Sequence, residues 1–362
     1  MRVLVVSHTA TVGGGELSLL ELVRALPRDV EVVAACPRGE LASRLGGCAT
    51  IPEVELGFGA SGAVRGLVSL ARAAVRVRRL ARGVDVVHAN SVRAGLVASL
   101  AGAPVVVMVR DCLPASPLGR LVRLVIRRRA RVVVANSDYT ARRFGGATVV
   151  HPPVDVERFA SAPPARLEGS PVLGVVAQLT PWKGQADAIR ALALVRRTQP
   201  EAVLVLVGSA KFATRATRFD NRSYEAELRE LARQEGVADA VRFLGERDDV
   251  AALISGLDVL LVPSWEEPFG RTVVEALAAG VPVAATSVGG PAEILAAGGG
   301  LLVPPRDPAR LAEAALALVG RRPVDVPLDR FTPRTHAAAM LAVYDQGRGV
   351  RAATPAWRFG HA

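Results

Sequence analysis

The sequence predicts an α/β protein of two domains, each a parallel sheet doubly wound with helices on both faces. Two observations predict it. Short β-branched apolar runs alternate along the chain with longer segments of helical periodicity, and uninterrupted apolar strands belong to sheets covered on both sides. A proline-bearing aperiodic stretch at 151–170 then divides the 362 residues, a length that suits about two domains at roughly 100–200 residues each.

In the first half, strands are expected at 3–6, 30–35, 85–88, 104–109, 132–135 and 149–150, with helices at 16–26, 92–101 and 118–129. His151-Pro-Pro-Val-Asp and Ser161-Ala-Pro-Pro read as a linker, because proline breaks both periodicities. The second half repeats the pattern. Strands are expected at 172–176, 203–207, 241–244, 259–262 and 281–285, and helices at 185–197, 224–235, 250–255, 271–279 and 308–319. A last helix is expected at 335–344, and a Gly-, Arg- and Pro-bearing tail from 347. The expected boundaries are 1–160, 161–334, a final helix within 335–346 and a tail at 347–362.

Composition removes several classes. Half the residues are hydrophobic and 22% are charged, which supplies a core and excludes global disorder. At 4% aromatics, a base-stacking nucleic-acid surface is not expected. The net charge is +11, and residues 1–160 hold 22 Arg against 12 acidic residues. Arg72, Arg76, Arg78, Arg79 and Arg82 form one cluster; Arg120, Arg123, Arg127, Arg128, Arg129 and Arg131 form another. They read as solvated helix faces or as a surface for an anionic membrane or a phosphorylated acceptor. The three cysteines fit neither a disulfide framework nor metal spacing, and reduced thiols, the absence of a leader and the absence of a spanning run lead us to expect a cytoplasmic protein.

The most informative stretch runs from Asp258 to Glu293. A strand gives way to a loop, Pro263-Ser-Trp-Glu-Glu-Pro-Phe-Gly270, and a helix opens near Arg271 and Thr272. Ligands of open α/β sheets bind at the carboxyl ends of strands. A helix start offers free amides and partial positive charge to an anion there. Glu267 and Glu275 are eight residues apart, one in the loop and one on the helix. That suits one carboxylate beside a reacting sugar and one accepting ribose hydroxyls. An acidic first helical turn alone would explain Glu267 equally well.

This stretch resembles the retaining glycosyltransferases of family 4. Glu267-Pro-Phe-Gly-Arg-Thr-Val-Val-Glu275 matches their Glu-x7-Glu motif, and residues 276–283, Gly289-Gly-Pro-Ala-Glu293 and Gly300-Leu-Leu-Val-Pro-Pro fit as well. The resemblance implies the GT-B fold: two Rossmann-like domains facing a cleft, a nucleoside-diphosphate sugar held mainly by the second, and a final helix crossing back. It implies donor contacts from Phe269, Gly270, Arg271, Thr272 and Glu275, no required metal, and a glycan, glycolipid or small-molecule acceptor.

Four further features gain a role from it. Lys183, one of two lysines with Lys211, sits where a strand gives way to a helix. It reads as a point charge for a diphosphate or as a solvated lysine. The family places an arginine where this chain has Gln178, and Arg271 or Arg247 would have to compensate. His8-Thr-Ala-Thr-Val-Gly-Gly14-Gly15 is a tight turn or, by resemblance, the loop over the diphosphate, with His8 on the acceptor side; it is no G-x-G-x-x-G, so a nicotinamide site lacks its fingerprint. Arg110-Asp111 is a structural ion pair or an active-site pair, with Arg110 standing where the family has His; His88 and Asn90, at another strand end, are candidates for the acceptor side. Arg247 and Asp248 fall where the resemblance places the nucleotide base, although Asp248 or Asp249 also reads as a helix cap. Ser209 and Lys211 form a further candidate loop. The chain contains no Asp-x-Asp, zinc spacing, P-loop or hydrolase elbow.

The expected chemistry is retaining transfer, with Lys183 and helix amides on the leaving diphosphate. The alternatives are a non-catalytic nucleotide- or carbohydrate-binding homologue, and an enzyme acting on a cyclitol or sugar-phosphate acceptor.

Overall fold

The computed structural model describes residues 1–52, 63–113, 116–210, 221, 223–323 and 326–349. The first domain runs β1 Arg2–Val6, α1 Gly14–Ala25, β2 Glu31–Cys36, α2 Glu40–Arg44, β3 Ala49–Thr50, α3 Ala63–Leu80, β4 Val86–Ala89, α4 Val92–Leu100, β5 Val105–Val109, α5 Pro117–Arg129, β6 Val132–Ala135, α6 Asp138–Phe144 and β7 Thr148–Val149. The second runs α7 Val156–Ala160, β8 Val172–Val176, α8 Gln185–Val195, β9 Val203–Val207, α9 Tyr224–Gln234, β10 Val241–Gly245, α10 Val250–Ser255, β11 Val259–Val262, α11 Arg271–Ala278, β12 Val283–Thr286, α12 Pro291–Ile294, β13 Gly300–Val303 and α13 Pro308–Leu318. A last helix, α14, spans Pro333–Arg348.

Two parallel sheets result, ordered β3-β2-β1-β4-β5-β6-β7 and β10-β9-β8-β11-β12-β13. In both, the order reverses beside the first strand of the domain, and the crevice at such a reversal is where this architecture binds ligands. The strands are apolar on both sides because both sides are covered. Leu4 and Val6 pack with the α3, α4 and α5 residues Ala73, Leu96 and Val122. Val3 and Val5 pack on the opposite face with Leu19 and Leu22 of α1, as the two-residue period of a strand requires.

Helix α14 joins that opposite face. Met340, Val343 and Tyr344 are buried with Val86, Val106 and Met108 of the first sheet. The helix therefore returns to the first domain after the chain has completed the second.

Two boundaries move. Val154 and Phe159 are buried in the second core, and α7 packs on α10 and α11, so the second domain begins before residue 154 rather than at 161. Apolar burial decides this, and the prolines do not. The tail expected from 347 also shifts: α14 continues to Arg348 and Gly349 caps it in the left-handed region, while residues 350–362 lie outside the described residues. Strand β13 was not anticipated. It is a sheet edge with Leu301 and Leu302 exposed, so its pattern does not mark a covered strand.

Candidate active site between the domains

The second-domain half is built from two strand-to-helix junctions pressed together. After β8, a turn at Pro181–Lys183 precedes α8, with Gly184 at φ +73°. A Cβ on Gly184 would overlap the Pro263 carbonyl oxygen, so glycine lets this turn lie against the loop after β11. The Trp265 amide donates to the Trp182 carbonyl at 2.8 Å. Lys183 Nζ then meets Glu267 Oε2 at 2.5 Å, and both side chains are mostly covered, at 16% and 11% exposure. Ser264 Oγ donates to the same carboxylate oxygen at 3.0 Å.

Glu267 is fixed through its backbone as well. Its amide donates to Val288 O at 3.1 Å and its carbonyl accepts from the Gly290 amide at 2.9 Å. Gly289, at φ +117°, would clash with the Glu267 carbonyl if it carried a Cβ. The Gly289-Gly290 pair thus serves close backbone packing against the glutamate loop.

Eight residues on, Glu275 is buried beside Arg271 at 3.5 Å. Burial pushes the Glu275 carboxyl up, and the Arg271 charge opposes the shift. Arg271 crosses to the first domain, where it donates to Ser18 Oγ at 2.9 Å, to Glu21 at 3.1 Å and to the Pro153 carbonyl. Gly14 lies against its aliphatic stem: a Cβ there would sit 3.7 Å from Arg271 Cδ. The glycine loop and the start of α11 are therefore neighbours across the cleft.

The first-domain half comes from the ends of β1 and β5. Arg110 turns back and donates to the Gly15 carbonyl. It lies close to Glu16, and burial pulls its pKa down to about 10 while the Glu16 charge resists. Glu16 accepts from the Gly13 amide at 3.2 Å, and burial raises its carboxyl against the pull of Arg110. Asp111 follows Arg110 at the end of β5 and is exposed to solvent. Its surroundings raise its carboxyl by desolvation; Arg110, Arg93 and Lys183 oppose this and Glu267 adds to it. The field of the Lys183–Glu267 pair thus reaches Asp111 from the other domain.

Several expected residues take other places. His88 is fully buried, with Nδ1 2.8 Å from the Tyr344 hydroxyl of α14. Asn90 is 1% exposed and its Nδ2 donates to Glu16 at 3.5 Å. His88 thus meets α14, and Asn90 meets the glutamate that follows the glycine loop. His8 is half-buried and bonded to Ser91 Oγ at 2.9 Å. Neither arginine weighed as a replacement at Gln178 is free. Arg271 is engaged as above, and Arg247 forms two bonds with Asp249, at 2.8 and 2.7 Å, on the surface. Asp249 therefore does not cap α10 with its side chain, and the Asp248 carbonyl accepts from Arg158 at 3.2 Å. Gln178 is half-buried, and its carbonyl accepts from Gln185 at 2.8 Å. The Phe269 ring packs at 5.7 Å from Phe331 and 6.0 Å from His151; it anchors the loop and leaves Gly270 and half-buried Thr272 at the helix start. Ser209 Oγ donates to Glu246 at 3.4 Å, and Lys211 lies outside the described residues.

A contact set that sequence reasoning missed joins the domains. Ser137 Oγ donates to the Pro268 carbonyl at 2.6 Å, and Tyr139 donates its hydroxyl to Glu266 at 2.8 Å. Glu293 accepts the Asp138 and Tyr139 amides at 2.9 and 2.6 Å. The Ser137-x-x-Thr140 cap was the available signal for α6.

Two family descriptions match in tandem: "Glycosyltransferase Family 4" over residues 12–158 and "Glycosyl transferases group 1" over residues 157–324. The chain belongs to glycosyltransferase family 4. Among curated relatives, it is 32% identical over 209 residues to the "GDP-mannose-dependent monoacylated alpha-(1-6)-phosphatidylinositol monomannoside mannosyltransferase" of Corynebacterium glutamicum, covering 51% of each chain. It is 34% identical over 230 residues to the "D-inositol 3-phosphate glycosyltransferase" of Stackebrandtia nassauensis, covering 58% of this chain and 50% of that one. The match thus spans about half the length of these relatives. Anabaena HepE, solved in complex with UDP and glucose, superposes with a TM-score of 0.73 at 25% identity, over 96% of this chain and 95% of that one. This family 4 chain has the GT-B fold, two Rossmann-like domains facing one cleft.

Proposed function

We propose that this protein transfers a sugar from a nucleoside-diphosphate sugar to a hydroxyl acceptor with retention of configuration and without a metal ion. The observation that carries the reading is the Lys183–Glu267 pair, 2.5 Å apart, where the starts of α8 and α11 converge. A diphosphate entering there takes Lys183 as its counter-ion and releases Glu267 toward the sugar. Charge developing on the leaving phosphate is met by Lys183 and by the free amides at the start of α11. As the anomeric C–O bond to phosphate breaks, the acceptor oxygen bonds the same carbon from the same face, and its proton passes to the leaving phosphate. Asp111 faces this point from the first domain and orients the acceptor hydroxyl. Arg110 acts behind it by holding the glycine loop.

Support for the donor class comes from HepE, solved with UDP and with UDP-glucose, and from the relative whose name specifies GDP-mannose. The test is turnover of a panel of nucleotide-sugars in EDTA, with the product's anomeric configuration read by proton NMR. Transfer with the donor's configuration supports the reading, and an inverted product or a strict metal requirement refutes it.

We also propose that the first domain sits on an anionic membrane surface. Helices α3, α4 and α5 lie side by side, and 63–80, 92–100 and 117–129 contain no acidic residue. Val68, Val75, Leu118, Leu121 and Leu124 are exposed among the arginines of α3 and α5. Among the described residues no helix is long and apolar enough to cross a membrane.

A further inference from the structure

We infer that Tyr139 and Glu293 are positioning residues: Tyr139 through Glu266, and Glu293 through the first amides of α6, set the Glu267 loop in its working place, and they do so only while α6 of the first domain rests on it. The inference deepens the proposed transfer reaction and rests on that reading of the Glu267 site.

The geometry follows from one backbone register. Glu267 pairs with Gly289 as a parallel β-bridge, so successive side chains along 266–268 leave the chain on alternate sides. Glu267 points to Lys183 in the second domain. Glu266 points the other way, into the first domain, where the Tyr139 hydroxyl donates to it at 2.8 Å and Arg143 Nη2 lies 3.2 Å away. The Pro268 carbonyl is taken by Ser137 Oγ at 2.6 Å. The residues on either side of Glu267 are therefore held by the opposite domain, while Glu267 itself stays in the donor domain.

Glu293 completes the arrangement from the other direction. Its two carboxylate oxygens accept the first two amides of α6, at 2.9 and 2.6 Å, which the helix cannot satisfy by itself. A carboxylate at a helix start also meets favourable charge. Glu293 follows Val288 and Gly290, which hold the Glu267 backbone. One short segment of the second domain thus grips both the glutamate loop and the helix that braces that loop. Separating the domains would break these bonds together and leave Glu267 fixed only from its own side. Sugar positioning would then depend on closure, while nucleotide binding would not.

The test uses the full-length chain with Tyr139→Phe, Glu266→Ala, their double variant and Glu293→Gln. Hydrogen exchange without nucleotide should quicken in residues 264–270 in Tyr139→Phe and Glu293→Gln while β8 stays unchanged; unaltered exchange in 264–270 would overturn the inference. With a nucleotide-sugar that the wild type turns over, kcat should fall roughly fivefold or more, while the affinity for the nucleoside diphosphate stays within about twofold. The double variant should be no worse than the poorer single one, because both remove the same contact. Additive losses, or equal losses in affinity and kcat, would also overturn it. Failure of the wild type to turn over any nucleotide-sugar would refute the transfer reading instead, and the exchange measurement would still decide the contact.

Discussion

Lys183 and Glu267 neutralise each other at 2.5 Å, and each is the group the proposed reaction needs when the other is withdrawn. Lys183→Ala leaves Glu267 facing an incoming diphosphate without a cation. We expect kcat/KM to fall by about 10²–10³, the scale for losing one charge-stabilising donor, in a steady-state assay. The buried histidines give a second prediction. Burial pulls His88 and His336 down to about 3, and His8 and His151 to about 4. Between those values and the ordinary histidine pKa, the unfolded chain binds protons that the folded chain refuses. Stability is therefore full above about pH 6.5 and declines as pH falls toward 4, by up to about 1.4 kcal/mol per pH unit for each fully buried ring. Burial raises the Glu16, Asp111 and Glu275 carboxyls, which contribute in the opposite sense. Urea midpoints across pH 4–7 are therefore compared between the wild type and His88→Phe; an unchanged pH slope in the variant would show that this ring is accessible. The motif residues were legible because their chemistry is local to two junctions. The partners of His88 and Asn90 were not legible, because a strand-end position does not say which way a side chain points.

The elements that carry the fold announced themselves where packing is two-sided. Strands β5, β8 and β9, and β1 from Val3 onward, are apolar because both faces are covered. Edge strand β13 and the capped helix α6 lack such a signature, and α6 supplies the domain contact that sequence reasoning missed. Helix α14 was legible as a helix, while its hold on the first sheet appears in the Tyr344–His88 bond at 2.8 Å. Tyr344→Phe keeps the ring and leaves a buried imidazole nitrogen without that partner. Its unfolding free energy should drop by about 1–3 kcal/mol, with an unchanged denaturant slope. No change would mean that the hydroxyl contributes nothing to the crossing helix.

At the scale of the whole molecule, charge and reaction divide between the domains. Residues 1–160 carry 22 arginines against 12 acids, and α3 and α5 mix these with exposed Val and Leu. Co-sedimentation with vesicles should rise with anionic lipid, weaken in high salt and fall further in Leu121→Ser/Leu124→Ser. Equal binding to neutral vesicles would contradict the docking proposal. The donor site in the cleft is tested by thermal shift against nucleoside diphosphates and nucleotide-sugars in EDTA. A ligand at about 100 times its Kd adds about 2.7 kcal/mol, a visible rise in Tm. Such a rise is expected with one nucleotide and should be lost in Lys183→Ala. No rise with any of them, or a rise that Lys183→Ala leaves intact, would contradict the assignment of the donor site.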